Sequence, residues 1–307
     1  MFIEKKYSGI TVPVITPVDA KENVDEKAYE RVIDHCIEGG VHGIFAAGTL
    51  GETMALTQSE RERAIRLAAK FAKGRAKVFG GVMDTSTKRV IENIKKLEDS
   101  GVDAVVITPV FYDRHTSQDE IVRLFEACAN ATKLDLVAYN IPSFVIEKIE
   151  PATVKRLAEI DSVKAIKDSG AAFNDTVKIL DMFADNKDFS VLSGTPVQYI
   201  GSAILGCDGC VPSMASVYPK VFRYAYEAVK NADVAKCKLA NHYILKAGSI
   251  YGGARNGTSA IKYALSKLGY CDARIIAPAD GVSPEEAKVI DKRMEECRDL
   301  FGSVGLL

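Results

Sequence analysis

The chain has 307 residues, of which 47% are apolar, so it is long enough to bury a sizeable core. Its 40 basic and 41 acidic residues give a net charge of −1 without any block of like charge, so we expect neither nucleic acid nor a membrane surface as a partner. The longest apolar runs have the length of strands, so no transmembrane helix is expected. The N-terminus lacks the order of a secretory signal, and we expect a cytoplasmic protein.

Seven scattered cysteines, an odd number, favour reduced thiols over a disulfide framework. The pair Cys207 and Cys210 in "GCDGC" could be a redox pair or half of a zinc site. No second pair of this spacing and no nearby histidine completes a set of four ligands, so we interpret both as small buried residues. The four histidines are isolated and no phosphate-binding loop motif occurs, so no metal and no cofactor are expected.

Short apolar, β-branched segments alternate with amphipathic stretches along the chain. The starts of these segments are roughly 20 to 35 residues apart, which is the spacing of strand–helix units with parallel strands. There are eight of them, at residues 9–18, 43–48, 77–83, 103–111, 135–140, 163–167, 189–194 and 209–214.

The stretches between these segments carry helix signals, such as Thr57 as an N-cap with Glu60 three residues later, a predicted capping box. Eight such units predict an α/β fold, a (β/α)8 TIM barrel, over residues 1–225. An open doubly wound sheet is the competing architecture, but the first strand is not followed by a Gly-rich phosphate loop. Residues 226–307 exceed what one closing helix needs and predict a C-terminal helical extension.

Active sites of such barrels form at the C-terminal ends of the strands. There, Lys167 ends the apolar segment of "SVKAIKDSG", where burial makes the amine costly to charge. A neutral amine attacks ketones and forms a Schiff base, although a lysine with a buried stem and a solvated head is the alternative. Tyr139 ends the neighbouring strand and could shuttle a proton, or it could be an ordinary core tyrosine.

The turn "GTLGET" after the second strand is a second candidate. Gly48 and Gly51 would let the backbone turn tightly, so the amides of Thr49 and Leu50 could face an anion. Gly-rich turns between strand and helix are common, so the pattern alone is also explained by the turn itself.

The motifs "GTLGE", "YNIP" and "IKDSG", in this order on these strands, resemble the dihydrodipicolinate synthase / N-acetylneuraminate lyase family, and the resemblance covers essentially the whole chain. It implies a pyruvate-handling aldolase, synthase, lyase or dehydratase that is usually a homotetramer built as a dimer of dimers. It also implies a small-molecule 2-oxo acid as the partner.

By this resemblance Lys167 matches the Schiff-base lysine and Tyr139 the proton-transferring tyrosine. Thr49 and Leu50 match the pair whose amides hold the pyruvate carboxylate, and Thr49 also matches a hydroxyl of the proton relay. Val211 matches the position on the eighth strand whose backbone lies against the keto acid. Further substrate-binding candidates at the strand ends are Gly48, Ser169, Gly194, Thr195 and Ser213.

Two positions depart from the family pattern. Phe144 stands where the synthases of lysine biosynthesis carry an arginine, and a phenyl ring cannot pair with a carboxylate. Phe111 stands where a tyrosine usually completes the relay. Tyr112 could replace it, although adjacent strand residues point in opposite directions. We count Tyr112 as a catalytic candidate, and Phe111 and Phe144 as substrate-binding candidates.

We therefore predict a Schiff-base-forming lyase or aldolase that acts on a 2-oxo acid, with a 2-keto-3-deoxy sugar acid or a related compound as substrate. Dihydrodipicolinate synthase is one alternative. N-acetylneuraminate lyase is another, although Thr195, Pro196 and Gln198 replace the acidic residues after the seventh strand of those lyases. A non-catalytic keto-acid-binding paralogue is the third. The residues leave open whether the pocket takes a polyhydroxylated or an aromatic tail.

Overall fold

The computed structural model describes residues 4–112, 117–170 and 172–307. Each of the eight predicted segments contains a strand, and the strands pair in parallel and in sequence order into a closed barrel, with the first strand beside the eighth. The strands are β1 Gly9–Pro13, β2 Gly43–Ala46, β3 Lys77–Gly81, β4 Ala104–Ile107, β5 Asp135–Asn140, β6 Val163–Asp168, β7 Ser190–Ser193 and β8 Gly209–Cys210.

Helices between and after the strands complete a (β/α)8 barrel with C-terminal helices, as predicted. Among the described residues, no helix combines the length and the hydrophobicity needed to cross a bilayer. The α-helices are α1 Glu26–Glu38, α2 Gln58–Ala72, α3 Thr87–Lys95, α4 Gln118–Ala129, α5 Pro142–Val145, α6 Pro151–Ala158, α7 Phe173–Met182, α8 Tyr199–Ile204, α9 Pro219–Lys230, α10 Val234–Tyr251, α11 Gly257–Lys267 and α12 Pro284–Ser303.

Strand parity decides which side chains enter the barrel, because successive side chains of a strand point to opposite faces. On β5, Val137 and Tyr139 belong to the apolar cluster inside the barrel, whereas Leu136 and Ala138 belong to the layer between barrel and helices. Tyr139 is paired in register with Lys167 on β6. The lysine, one residue before the end of β6 at Asp168, therefore has the inward-facing parity.

The N-terminus of α2 forms half of the predicted capping box. The Thr57 side chain accepts a hydrogen bond from the backbone N–H of Glu60. The Glu60 carboxylate does not return to the cap but accepts from the N–H of Val24 at 2.6 Å and pairs with Arg63. A partner in the connection between β1 and α1 thus replaces the local one, which the local sequence does not reveal.

The C-terminal helices pack on the barrel through α9 and α10. The boundary predicted between residues 225 and 226 falls inside α9 and remains a prediction. Between α11 and α12, residues 268–283 contain no helix or strand. This connection returns towards the mouth of the barrel.

All seven cysteines are free thiols. The Cys207 Sγ donates to the backbone oxygens of Val191 at 3.1 Å and Gly209 at 3.2 Å, and Cys210 is fully buried. Burial raises the pKa of Cys207 to about 12, so its reactive thiolate is disfavoured. These two residues pack as small buried side chains.

His42 at the start of β2 makes folding sensitive to mild acid. Burial and, to a smaller extent, the Arg223 guanidinium lower the pKa of His42 from 6.5 to about 4. Its Nδ1 accepts from the N–H of Ile10 at 2.9 Å, a contact that protonation would break. Between these two pH values the unfolded chain takes up a proton that the folded chain rejects, so stability present above about pH 6.5 is lost as the pH falls.

We expect His42→Gln to flatten this part of the stability profile. Urea unfolding across a pH series should show a shallower decline between pH 6.5 and about 4 in the variant than in the wild type. His242→Gln, which changes an exposed histidine on α10, is the matched control and should keep the wild-type slope. Equal slopes in all three proteins would contradict the assignment.

Candidate active site

Lys167 is the centre of the candidate site. Its side chain is only 6% exposed, and its Nζ lies 3.8 Å from the ring centroid of Tyr139 and 5.1 Å from that of Phe45. An ammonium over an aromatic face is stabilised by the ring quadrupole, most strongly where water is excluded. Strand pairing thus brings together the two residues that the sequence singled out for Schiff-base chemistry and proton transfer.

The phenol of Tyr139 is tuned by its neighbours. Burial, the largest single influence, raises its pKa, and the charge of Lys167 opposes this effect. Hydrogen bonds with Lys167, Thr49 and Ser169 act in the same direction as the charge, and the pKa of Tyr139 ends below its ordinary value of 10.0. The phenolate is therefore easier to form here than in water, which suits a group that takes and returns protons.

The turn after β2 is shaped by close approach. A Cβ on Gly48 would lie 2.8 Å from the Phe45 ring, and one on Gly51 would lie 3.2 Å from the backbone of Ala47. The positive φ angles of this turn belong to Ala47, at 51°, and Glu52, at 56°. Glycine is thus needed at positions 48 and 51 because a side chain would not fit there. The left-handed backbone conformation is adopted by the neighbouring Ala47 and Glu52.

A polar network fixes the strand ends behind Lys167 and Tyr139. Asp168 Oδ1 accepts from Asn140 Nδ2 at 2.8 Å and from the N–H of Gly170 at 2.9 Å, and its Oδ2 accepts from Thr176 Oγ1 at 2.8 Å. The oxygen of the Asn140 side chain accepts from the N–H of Ile149. Four hydrogen bonds therefore hold the outward-facing neighbours of the two central residues.

A cavity of about 530 Å³ opens over Lys167 at the C-terminal end of the barrel. It contains most of the predicted site residues. Those that line it are Thr49, Leu50, Phe111, Tyr139, Phe144, Lys167, Ser169, Gly194, Val211 and Ser213.

Three predicted site residues do not line this cavity. Gly48 is buried within the turn, and Thr195 exchanges hydrogen bonds with Ser193. Tyr112 is 92% exposed and has a positive φ of 76°. Because β4 ends at Ile107, the expectation that strand alternation would orient Tyr112 does not apply. The roles predicted for these residues remain predictions.

The sequence did not identify the outer wall of the cavity. Tyr251, Asn256 and Thr258 come from the C-terminal helices and the connection between them, and residues 275–279 come from the connection after α11. One signal was available: Lys262 lies within the apolar pattern of "GTSAIKYALSKLG", where helical periodicity buries it. A buried lysine requires a partner, and the partner is Glu52 of the turn after β2.

Few charged side chains line the described part of the cavity. Among the described residues that line it, Lys167 is the one cationic side chain and Glu52 the one anionic side chain. Within the described ranges, no group of three or more His, Cys, Asp or Glu side chains is placed to hold a metal ion. A buried lysine beside a tyrosine at the mouth of a (β/α)8 barrel is the arrangement of class I, Schiff-base-forming aldolases.

Comparison with known proteins gives the family. The model of the dihydrodipicolinate synthetase family matches residues 6–296. The chain belongs to this family, whose members are lyases of the class I aldolase type. It is therefore a pyruvate-dependent enzyme of the Schiff-base aldolase type.

Individual relatives agree with this assignment. The 4-hydroxy-tetrahydrodipicolinate synthase of Hyphomonas neptunium is 26% identical over 94% of this chain and 97% of its own length. The dihydrodipicolinate synthase structure from Bacteroides thetaiotaomicron has a TM-score of 0.90 at 32% identity, covering 96% of this chain and 100% of that one. A prophage protein of the same family from E. coli, in complex with pyruvate, has a TM-score of 0.88 at 25% identity, covering 98% and 100%.

The coupling between Lys167 and Tyr139 can be tested by titration. Because the Lys167 charge lowers the pKa of Tyr139 against the effect of burial, Lys167→Met should make this tyrosine ionise at a higher pH. The titration is followed by tyrosinate absorbance in the wild type and in Lys167→Met. In each of these two proteins, the contribution of Tyr139 is the part of the absorbance that is lost when Tyr139→Phe is added. Lys164→Met, which changes a half-buried lysine on the same strand, should leave the titration of Tyr139 unchanged. An unchanged titration in Lys167→Met would contradict the coupling.

Proposed function

We propose that Lys167 forms a Schiff base with C2 of a 2-oxo acid and that the enzyme cleaves the C3–C4 bond to release pyruvate. The observation that carries the proposal is the buried Lys167 Nζ beside the Tyr139 ring within a cavity large enough for a small substrate. The family assignment supports the same chemistry. The cytoplasm is the proposed location.

The proposed mechanism assigns each step to a group. Neutral Lys167 adds to the C2 ketone and water leaves, which gives an iminium that acts as an electron sink. A proton passes from the C4 hydroxyl to the Tyr139 phenolate, the C3–C4 electron pair moves towards C2, and an aldehyde leaves the resulting enamine. Protonation at C3 and hydrolysis of the iminium then release pyruvate and regenerate Lys167.

The turn after β2 is the proposed cradle for the substrate carboxylate. Among the described residues, the amides of Thr49 and Leu50 donate to no acceptor within the chain, although both residues line the cavity. Two free N–H groups beside each other suit a carboxylate. We propose that the Thr49 hydroxyl, which hydrogen-bonds Tyr139, continues the proton path, and that the backbone of Val211 lies against the bound acid.

We propose a 2-keto-3-deoxy sugar acid or a related compound as the substrate. Neutral hydrogen-bonding side chains line the cavity beyond Lys167, and hydroxyl groups of a substrate tail could pair with them without a charged partner. The side chains concerned are Ser143, Ser169, Ser213, Asn256 and Thr258.

The synthase of lysine biosynthesis is the second candidate. The names of the relatives support it, since several at 26 to 34% identity are 4-hydroxy-tetrahydrodipicolinate synthases. Phe144, where the family resemblance implies an arginine, is 65% exposed at the cavity and offers no charge to a second carboxylate. The two candidates differ in whether the distal half of the substrate is charged.

We further propose a homotetramer. Three exposed apolar side chains support it, because association would remove them from water. They are Phe173 on α7, Val197 in the 3-10 turn after β7, and Ile204 on α8. Tyr112, which is outside the cavity of its own chain, is retained as a catalytic candidate that an assembly would have to bring to a site. The molar mass in solution is the deciding measurement, and a monomer would contradict this assignment.

Trapping tests the Schiff base directly. Incubation with pyruvate and borohydride should add one reduced pyruvyl group, and peptide mapping should locate it on Lys167. Lys167→Ala should lose the adduct, whereas Lys164→Ala, on the same strand, should retain it. Wild-type enzyme without an adduct, or with one on another lysine, would refute the proposed role.

A substrate panel separates the two candidate functions. We expect pyruvate release from 2-keto-3-deoxy acids with hydroxylated tails to exceed the condensation of pyruvate with aspartate semialdehyde. Phe144→Arg should lower kcat/KM for the acids with uncharged, hydroxylated tails about 10-fold, because one pocket contact is lost and an unpaired charge is added. Condensation as the faster wild-type reaction would instead establish the synthase.

A further inference from the structure

A buried ion pair connects the turn after β2 to the C-terminal helices. Lys262 on α11 is fully buried, and its Nζ contacts the carboxylate of Glu52. Burial lowers the pKa of Lys262, and the charge of Glu52 opposes this shift. Glu52 itself is two residues beyond Leu50 and lines the same cavity as Lys167. The pair is therefore close to the proposed carboxylate cradle.

Both members of the pair also hold one segment of backbone. The Lys262 Nζ donates to the backbone oxygen of Arg274 at 2.8 Å, and Glu52 Oε2 accepts from the N–H of Ile276 at 2.8 Å. We call residues 274–279 the C-terminal strap. Residues 275–279 of the strap line the cavity opposite the barrel. Two hydrogen bonds from one ion pair thus fix this wall relative to the turn.

The stability of the fold does not explain such a pair. Taking two charges out of water is costly, and apolar residues of similar volume are often at least as stabilising. What the ion pair provides is geometry, because each group has donors or acceptors in fixed directions. Here these directions join a turn of the barrel to a segment that has no regular secondary structure.

We propose that Glu52 and Lys262 are positioning residues that hold the C-terminal strap as the distal wall of the substrate site. This inference rests on the proposed function of Lys167, because a substrate anchored there extends from C4 outwards past the strap. The strap offers Ile275, Ile276, Ala277 and Pro278 to the cavity and no charged side chain. The part of the substrate that reaches it is therefore uncharged.

The double variant Glu52→Gln/Lys262→Met tests the proposal, because it removes both charges and leaves no unpaired ion. We expect hydrogen exchange at the Ile276 amide to accelerate, since its acceptor is weakened. The KM for a cleavable 2-oxo acid should rise on the order of 10-fold to 100-fold, because the distal half of the substrate is misplaced. Pyruvate, which has no distal half, should still be trapped on Lys167 by borohydride.

Lys267→Met is the matched control. Lys267 is on the same helix and pairs with Asp291 at the surface, so its loss should change neither strap exchange nor KM. The proposal is overturned if the double variant keeps the wild-type KM and the wild-type exchange at Ile276, or if the control shifts them equally. Exchange is measured without substrate, so it tests the strap even if wild-type trapping fails, and that failure would refute the role of Lys167 instead.

Discussion

The Lys167 Nζ lies over the ring of Tyr139 in a space that the barrel shields from water, and the rest of the site is arranged around this contact. In a shielded site each charge acts strongly on its neighbour, because little solvent screens it. Burial alone would make the phenol a weaker acid, yet the nearby cation and the hydrogen-bonding hydroxyls reverse the direction. The charge of Lys167 thus favours the phenolate form of its neighbour Tyr139.

The contact depends on precise strand ends, and these are fixed from behind. Asn140 and Asp168 follow Tyr139 and Lys167 in the chain, are themselves paired in register, and share a hydrogen bond. Thr176 on α7 satisfies the second carboxylate oxygen of Asp168. Since side chains alternate along a strand, the inward residues face the cavity while the outward residues lock the backbone. The same two dipeptides therefore carry both the side chains proposed to react and the side chains that support them.

The local sequence predicted those features that depend on periodicity and strand order. Eight apolar segments at regular spacing predicted the barrel, and the strand-end rule placed Lys167 and Tyr139 at its mouth. The distal wall could not be found in this way, because residues 275–279 have no periodic pattern and reach the site only through a tertiary contact. Similarly, the Glu60 carboxylate accepts a hydrogen bond from the N–H of Val24 and not from the cap of its own helix. This contact depends on the tertiary structure.

Two of the buried ion pairs share a physical role, whereas a further pair, Arg61–Asp84, lies within the strand–helix repeat. Lys5 pairs with Asp208 at the N-terminal end of β8, and Lys262 pairs with Glu52 at the opposite end of the barrel. Each pair joins a segment outside the regular strand–helix repeat to the barrel itself. Removing one partner of such a pair typically costs about 3 to 5 kcal/mol, whereas the intact pair adds little net stability. Such a pair adds little free energy to folding when it is intact but is costly to break. It is therefore suited to holding an irregular segment in one position. The barrel repeat fixes its own strands by pairing, whereas the strap beside the cavity pairs with no strand and is held by the ion pair instead.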